Sequence, residues 1–177
     1  MLTLANRLTI LRILITPVIT ILLMYRQGGA ALALFLLAGI TDGLDGLVAR
    51  SWKQKTTLGM VLDPVADKLL LTSTVVTLTI LKELPRWFTI IVVSRDVLLI
   101  GGSVILYMFL GKLSTPPSWL GKATTGFQLI TVLSAMLDNF FPGIRPAILP
   151  LTVVTLSLTV ASGLDYIYRG ARLLNDL

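Results

Sequence analysis

Six apolar stretches, each close to the length a helix needs to cross a bilayer, follow one another along this chain, at about 8–25, 29–49, 60–81, 87–110, 118–138 and 147–168. A spanning helix takes roughly 20 mostly apolar residues. The segments between them carry Gly, Pro and charge: "RQGG" (26–29), "RSWKQKTT" (50–57), "KELPR" (82–86), "GKLSTPPS" (111–118) and "DNFFPGIRP" (138–146). Two runs, "LTSTVVTLTI" and "LTVVTLSLTV", are rich in β-branched residues that favour strands. Their length and lack of polar/apolar alternation point instead to lipid-facing helix, in which a Thr hydroxyl can bond back to the preceding turn. Only 14% of the residues are charged, against about 25% in a soluble domain. The expected fold is all-α: an integral membrane bundle of six transmembrane helices, forming a single domain over residues 1–177.

Charge orients that bundle. Six spans put both termini on one side, together with Arg7, Arg12, Arg50, Lys53, Lys55, Lys112, Arg169 and Arg172. The other side receives Arg26, Lys82, Arg86 and Arg145. Cytoplasmic loops collect Lys and Arg, so the termini and the 50–57 loop are expected to face the cytoplasm, with the active site on that side of the cell membrane. The net charge of +6 then reads as contact with anionic lipid headgroups. Nucleic acid is not expected, because there is no basic tail and no basic stripe interleaved with aromatics. With neither Cys nor His in the chain, disulfides, thiolate zinc sites, Ser-His and Cys-His catalysts and the HExxH motif are all excluded. Acid/base or metal chemistry must use carboxylates, Lys, Tyr or water.

Four of the nine acidic residues sit in two short stretches, "TDGLDGLVAR" (41–50) and "GMVLDPVADK" (59–68). At about 100° per residue, Asp45, Ala49, Asp42, Gly46 and Arg50 fall within an arc of about 140°, and Gly59, Asp63 and Asp67 within about 80° on the next helix. Each helix therefore presents two carboxylates on one face. The short basic loop reverses the chain, so the two faces can meet near the cytoplasmic surface. Each Asp costs about 2.5–3.5 kcal/mol at the centre of a span, and like charges in proximity repel. Arg50 and Lys68 could offset part of this. Two divalent cations would offset more, and they suit hard oxygen ligands. Set about 3.5–4 Å apart, such a pair clamps a displacement at phosphorus. Gly46 and Ala49 leave room for a ligand to approach the backbone, whereas Gly39 and Gly43 fit a small-xxx-small helix contact. The competing reading, helix-end charges paired to Arg50, Lys53 and Lys68, suits one Asp better than four in register on two helices.

Those stretches resemble the signature of the CDP-alcohol phosphotransferase family: D-x-x-D-G-x-x-A-R, eight residues, then G-x-x-x-D-x-x-x-D. Here the segments are "DGLDGLVAR", "SWKQKTTL" and "GMVLDPVAD", and all eight fixed positions match within 26 residues. The resemblance implies transfer of a substituted phosphate from a CDP-linked donor to an alcohol, with release of CMP. It implies that Asp42, Asp45, Asp63 and Asp67 hold two divalent cations, Mg²⁺ or Mn²⁺, and that Asp67 is the general base for the acceptor hydroxyl. It also implies that Gly46, Ala49, Arg50 and Gly59 line the cytidine nucleotide site, and that the chain forms a homodimer.

The opening "LANRLTILRILITP" is similar to the N-x-L-T-x-x-R start common in phosphatidylglycerophosphate synthases, with Asn6, Thr9 and Arg12 matching. Family analogy puts Asn6 and Thr9 near the nucleotide. "SRDVLLIGG" and "GKATTGFQL" also have family counterparts and supply Arg95 and Lys122, cations inside expected spans that need anionic partners. The phosphate of a phosphorylated acceptor alcohol would serve, and so would a carboxylate such as Asp96. The implied reaction is CDP-diacylglycerol plus glycerol 3-phosphate giving phosphatidylglycerophosphate and CMP. "TTLGMVLDPVADKLLL" also resembles the CDP-alcohol type of cardiolipin synthase, whose acceptor is phosphatidylglycerol; inositol phosphate is a further acceptor that fits. A divalent-cation transporter is the non-enzyme alternative, and the apolar outer halves of the spans argue against it.

Overall fold

The computed structural model describes residues 4–52, 57–110 and 118–175, and within them the side chains at 4–7, 42–52, 57–64, 105–107, 109–110, 142 and 174–175 fall outside the described set. Six α-helices and one short 3-10 turn follow in chain order, with no strand among the described residues. They are α1 (Leu4–Met24), α2 (Gly28–Trp52), α3 (Thr57–Ile80), α4 (Arg86–Leu110), α5 (Trp119–Leu137), the turn Pro142–Ile144 and α6 (Arg145–Asn175). Each helix falls on one of the six apolar stretches, and both β-branched runs are helical. Among the described residues, two stretches are long and apolar enough to cross a bilayer: Arg86–Val104 in α4 and Arg145–Leu173 in α6. Leu8–Met24 and Gly28–Thr41 are shorter apolar segments. The apolar part of α2 ends where the first acidic stretch begins, and α3 starts at Thr57, just ahead of the second acidic stretch.

The chain divides into two compact units, Met1–Glu83 and Leu84–Leu177. In the first, α1 packs against both α2 and α3; in the second, α6 packs against both α4 and α5. Each unit thus has one central helix, and the buried faces follow helical spacing. On α1 the buried stripe is Thr9, Arg12, Thr16, Ile19 and Leu23, at intervals of three and four residues that keep it on one side of the helix. It meets Phe35 and Ala38 of α2 and Leu70, Leu71, Val75 and Leu78 of α3 as the core of the first unit.

On α6 the buried stripe is Ile148, Thr152, Thr155, Thr159 and Ser162, while Leu149, Val153, Val154, Val160 and Leu164 are exposed. Threonines dominate the buried side and aliphatic side chains the exposed one, with Ile148 buried and Ser157 exposed as exceptions. This corrects the expectation that the threonine-rich runs face lipid: their threonines are largely turned inward, Thr74 and Thr77 beside Leu71, Val75 and Leu78 in α3, and Thr152, Thr155 and Thr159 in α6. Hydrogen bonding makes this burial tolerable. Each hydroxyl donates to a carbonyl one turn back, as Thr74 does to Leu70 at 2.8 Å, Thr155 to Leu151 at 2.8 Å and Thr159 to Thr155 at 2.7 Å. Satisfied in this way, a small side chain can line a close helix contact. Among the described residues three hydrogen bonds cross between α5 and α6: Thr131 and Thr155 share one of 2.8 Å, the Thr124 hydroxyl donates to the Leu158 carbonyl at 3.1 Å, and the Thr155 hydroxyl also reaches the Phe127 carbonyl at 3.4 Å.

Two of the helix ends are closed by the same device. Arg26 and Lys82 adopt left-handed backbone, with φ of 60° and 64°. After α1, the Gln27 N–H donates to Leu22 O and the Arg26 N–H to Leu23 O; after α3, Glu83 N–H donates to Leu78 O and Lys82 N–H to Thr79 O. Both are Schellman caps, which satisfy the last carbonyls of a helix. Within this unit the guanidinium of Arg26 also lies 3.4 Å from the Glu83 carboxylate.

Candidate active site

The first unit carries most of the expected site. Helix α2 runs unbroken to Trp52, so Asp42, Asp45, Gly46, Ala49 and Arg50 lie on its C-terminal half. Gly59, Asp63 and Asp67 lie on the N-terminal half of α3, and Asn6, Thr9 and Arg12 on the first half of α1. Helical backbone through both acidic stretches gives each carboxylate pair its same-face spacing. The side chains of Asn6, Asp42, Asp45, Gly46, Ala49, Arg50, Gly59 and Asp63 lie outside the described residues. Of the four aspartates, Asp67 is the one whose side chain is described.

Asp67 is held from α1. The Arg12 guanidinium donates from Nη1 to Asp67 Oδ1, joining two helices across 55 positions of sequence. Arg12 is buried, as is Thr9 three residues before it on the same face of α1. Charge-assisted bonds of this kind are about twice as strong as neutral ones. Sequence reasoning offered Arg50 and Lys68 as counter-charges and missed this pair. The signal was present: Arg12 interrupts the apolar run "LTILRILITP", and a cation in such a run needs an anionic partner.

In the second unit the two cations expected to bind acceptor phosphate have different surroundings. Arg95, on α4, is buried and donates from Nη1 to Asp96 Oδ1 at 2.9 Å and from Nη2 to Ser162 Oγ at 2.9 Å. The start of α5 lies beside it: a Cβ added at Gly121 would stand 3.6 Å from Arg95 Nη2 and 3.2 Å from Ser118 Oγ. Ser118 caps α5 by accepting from the Gly121 N–H at 2.9 Å. Lys122 is exposed, with its Nζ 5.4 Å from the centre of the Trp119 ring. Arg95 thus has the carboxylate partner that the competing reading named. Ser162 went unnoticed in the sequence, although it continues the Thr152, Thr155, Thr159 spacing.

The model of the family described as CDP-alcohol phosphatidyltransferase matches residues 2–161. The chain belongs to that family. Among its relatives, a protein of Mycobacterium tuberculosis named probable phosphatidylglycerophosphate synthase is 34% identical over 175 residues, covering 96% of this chain and 82% of that one. A protein of Aquifex aeolicus named CDP-diacylglycerol–glycerol-3-phosphate 3-phosphatidyltransferase is 30% identical over 173 residues, covering 96% of each chain. The human cardiolipin synthase (CMP-forming) is 35% identical over 191 residues, covering 96% of this chain and 62% of that one. The donor set suits the family's chemistry: carboxylates, without Cys or His, select hard divalent cations.

Proposed function

We propose that this CDP-alcohol phosphatidyltransferase moves the phosphatidyl group of CDP-diacylglycerol to the hydroxyl of glycerol 3-phosphate, giving phosphatidylglycerophosphate and CMP. The observation that carries the reading is the eight-position signature on consecutive helices α2 and α3, with its last carboxylate, Asp67, fixed by Arg12 of the N-x-L-T-x-x-R start on α1. The names of the bacterial relatives and their coverage support glycerol 3-phosphate as acceptor. Phosphatidylglycerol, giving cardiolipin, is the second reading, supported by the human relative, of which the chain spans 62%.

In this mechanism Asp42, Asp45, Asp63 and Asp67 hold two divalent cations, Mg²⁺ or Mn²⁺. Bound there, the cations would supply positive charge to the diphosphate and to the departing CMP. Asn6, Thr9, Gly46, Ala49, Arg50 and Gly59 receive the cytidine nucleotide. Asp67 takes the proton from the acceptor hydroxyl as its oxygen attacks the phosphorus that bears diacylglycerol; the bond from that phosphorus to the CMP oxygen breaks. Arg95 and Lys122 are assigned to the acceptor's phosphate. Since the family match runs from residue 2 to 161, we treat residues 1–177 as one catalytic domain. The aliphatic outer faces of α4 and α6 support six spans in the cell membrane, with both termini in the cytoplasm. A homodimer belongs to this reading through family resemblance alone.

The test is CMP release from CDP-diacylglycerol by the purified chain in nanodiscs. The acceptors are glycerol 3-phosphate, phosphatidylglycerol, inositol phosphate and serine, each assayed with Mg²⁺ or Mn²⁺ and after chelation. Release with glycerol 3-phosphate, lost on chelation and restored by metal, is expected. Release with phosphatidylglycerol alone transfers the assignment to cardiolipin synthesis. Metal flux across proteoliposomes without CMP release replaces the enzyme by a transporter.

A further inference from the structure

Arg12 has no part in the chemistry described so far, yet it is buried more deeply than Arg95. A guanidinium keeps its charge at any pH a protein meets, and a buried charge is costly unless it is paired. Arg12 donates from Nη1 to Oδ1 of Asp67. The two side chains stand in different surroundings, with 2% of the Arg12 side chain exposed against 48% of Asp67. One carboxylate oxygen is therefore gripped from the packed interior, while about half of the aspartate side chain is exposed.

An aspartate on an open helix face swings among staggered rotamers. A base that must meet a hydroxyl in line with phosphorus cannot do so: a misplacement of about 1 Å can cost about 100-fold in rate. The grip itself is rigid, because Arg12 sits on the central helix of its unit, packed against both α2 and α3. We propose that Arg12 is a positioning residue that holds the Asp67 carboxylate in one orientation for proton transfer. The proposal rests on Asp67 being the base. It also gives α1 two tasks on one face, since Thr9, assigned to the nucleotide, is buried three residues before Arg12. The anchor of the base and part of the donor site then move as one body.

The alternative is an ionic tie that merely fastens α1 to α3, and kinetics separate the two. Arg12→Gln, Arg12→Lys and Asp67→Asn would be prepared as full-length chains in nanodiscs. Three quantities would be read for each: kcat and KM for CDP-diacylglycerol, direct binding of CDP-diacylglycerol, and the melting temperature. Positioning predicts that Arg12→Gln lowers kcat by about 10- to 100-fold, with KM and binding within about threefold of the parent. Arg12→Lys, which keeps the charge but not the planar fork, is expected to recover part of the loss. An unchanged kcat in Arg12→Gln overturns the proposal. So does a loss of binding and melting temperature in step with kcat, which is what a structural tie would give. If Arg12→Gln does not fold, Arg12→Lys decides: a folded protein with parental kcat overturns the proposal, and one with lowered kcat and retained binding upholds it. Parental activity in Asp67→Asn would remove the base itself and the proposal with it. An inactive Asp67→Asn beside a fully active Arg12→Gln would remove only the role of Arg12.

Discussion

Asp67 shows how far a single side chain can be read from sequence. Its spacing from Asp63 and its place in the signature marked it as a metal ligand and base. Its partner is 55 positions away; the apolar run around Arg12 signalled that this cation needs an anion, but not which one. Once α1 and α3 are packed, Arg12 of α1 and the last acid of the signature find each other. Removing the carboxylate's charge while keeping its shape is the sharpest single-residue test. Asp67→Asn is expected to lower CMP release by at least about 100-fold, the scale of general-base catalysis, with CDP-diacylglycerol binding retained in a direct assay. Backbone strain offers a second prediction at this scale. Lys82 holds a left-handed conformation, which costs a non-glycine residue roughly 1–2 kcal/mol. Lys82→Gly removes that strain but adds flexibility to the unfolded chain, so a net gain of up to about 1 kcal/mol is expected. The readout is a higher melting temperature in detergent, and a lower one would mean that the lysine side chain contributes more than the strain costs.

At the scale of elements, the periods of the sequence were legible and the facing was not. Hydropathy averages over a window, so it marked six helices but gave no reason to turn Thr152, Thr155 and Thr159 inward and Val153, Val154 and Val160 outward. The intervals of three and four between the threonines did contain that information. What they lacked was a rule for which side of a threonine helix is buried: the hydroxyl's bond to the preceding turn permits burial without requiring it, since exposed Ser157 makes the same bond to Val153 O at 3.0 Å. Gln128 is the exception on the α5 face. It is fully buried between Thr124 and Thr131, and neither amide atom finds a hydrogen-bond partner among the described residues. A buried polar group in that condition costs about 1–3 kcal/mol, which an apolar side chain of similar size avoids. Gln128→Leu is therefore expected to raise the melting temperature without changing CMP release. A fall in melting temperature would show that the amide is satisfied in the membrane.

For the whole molecule, composition alone pointed to helices in lipid, and the helices fall where the apolar stretches said they would. The division into Met1–Glu83 and Leu84–Leu177 was not foreseen, because each unit depends on a central helix, α1 or α6, and hydropathy ranks neither above its neighbours. The proposed topology can be tested directly, since the chain contains no cysteine. Single cysteines at Asn139 and at Arg172 would be exposed to a membrane-impermeant maleimide on intact cells. Asn139→Cys is expected to react from outside and Arg172→Cys only after permeabilisation; the opposite pattern would invert the orientation. The contact between Arg12 and Asp67 also bears on biosynthesis. A ribosome makes the amino end first, so the guanidinium emerges 55 residues ahead of the carboxylate it grips. Until the third helix is translated, the first must carry its charge without that counter-ion. The early part of the nascent chain therefore gains from settling into lipid as a cooperative group of three, and a ribosome stalled after the second helix should leave the first one easily extracted.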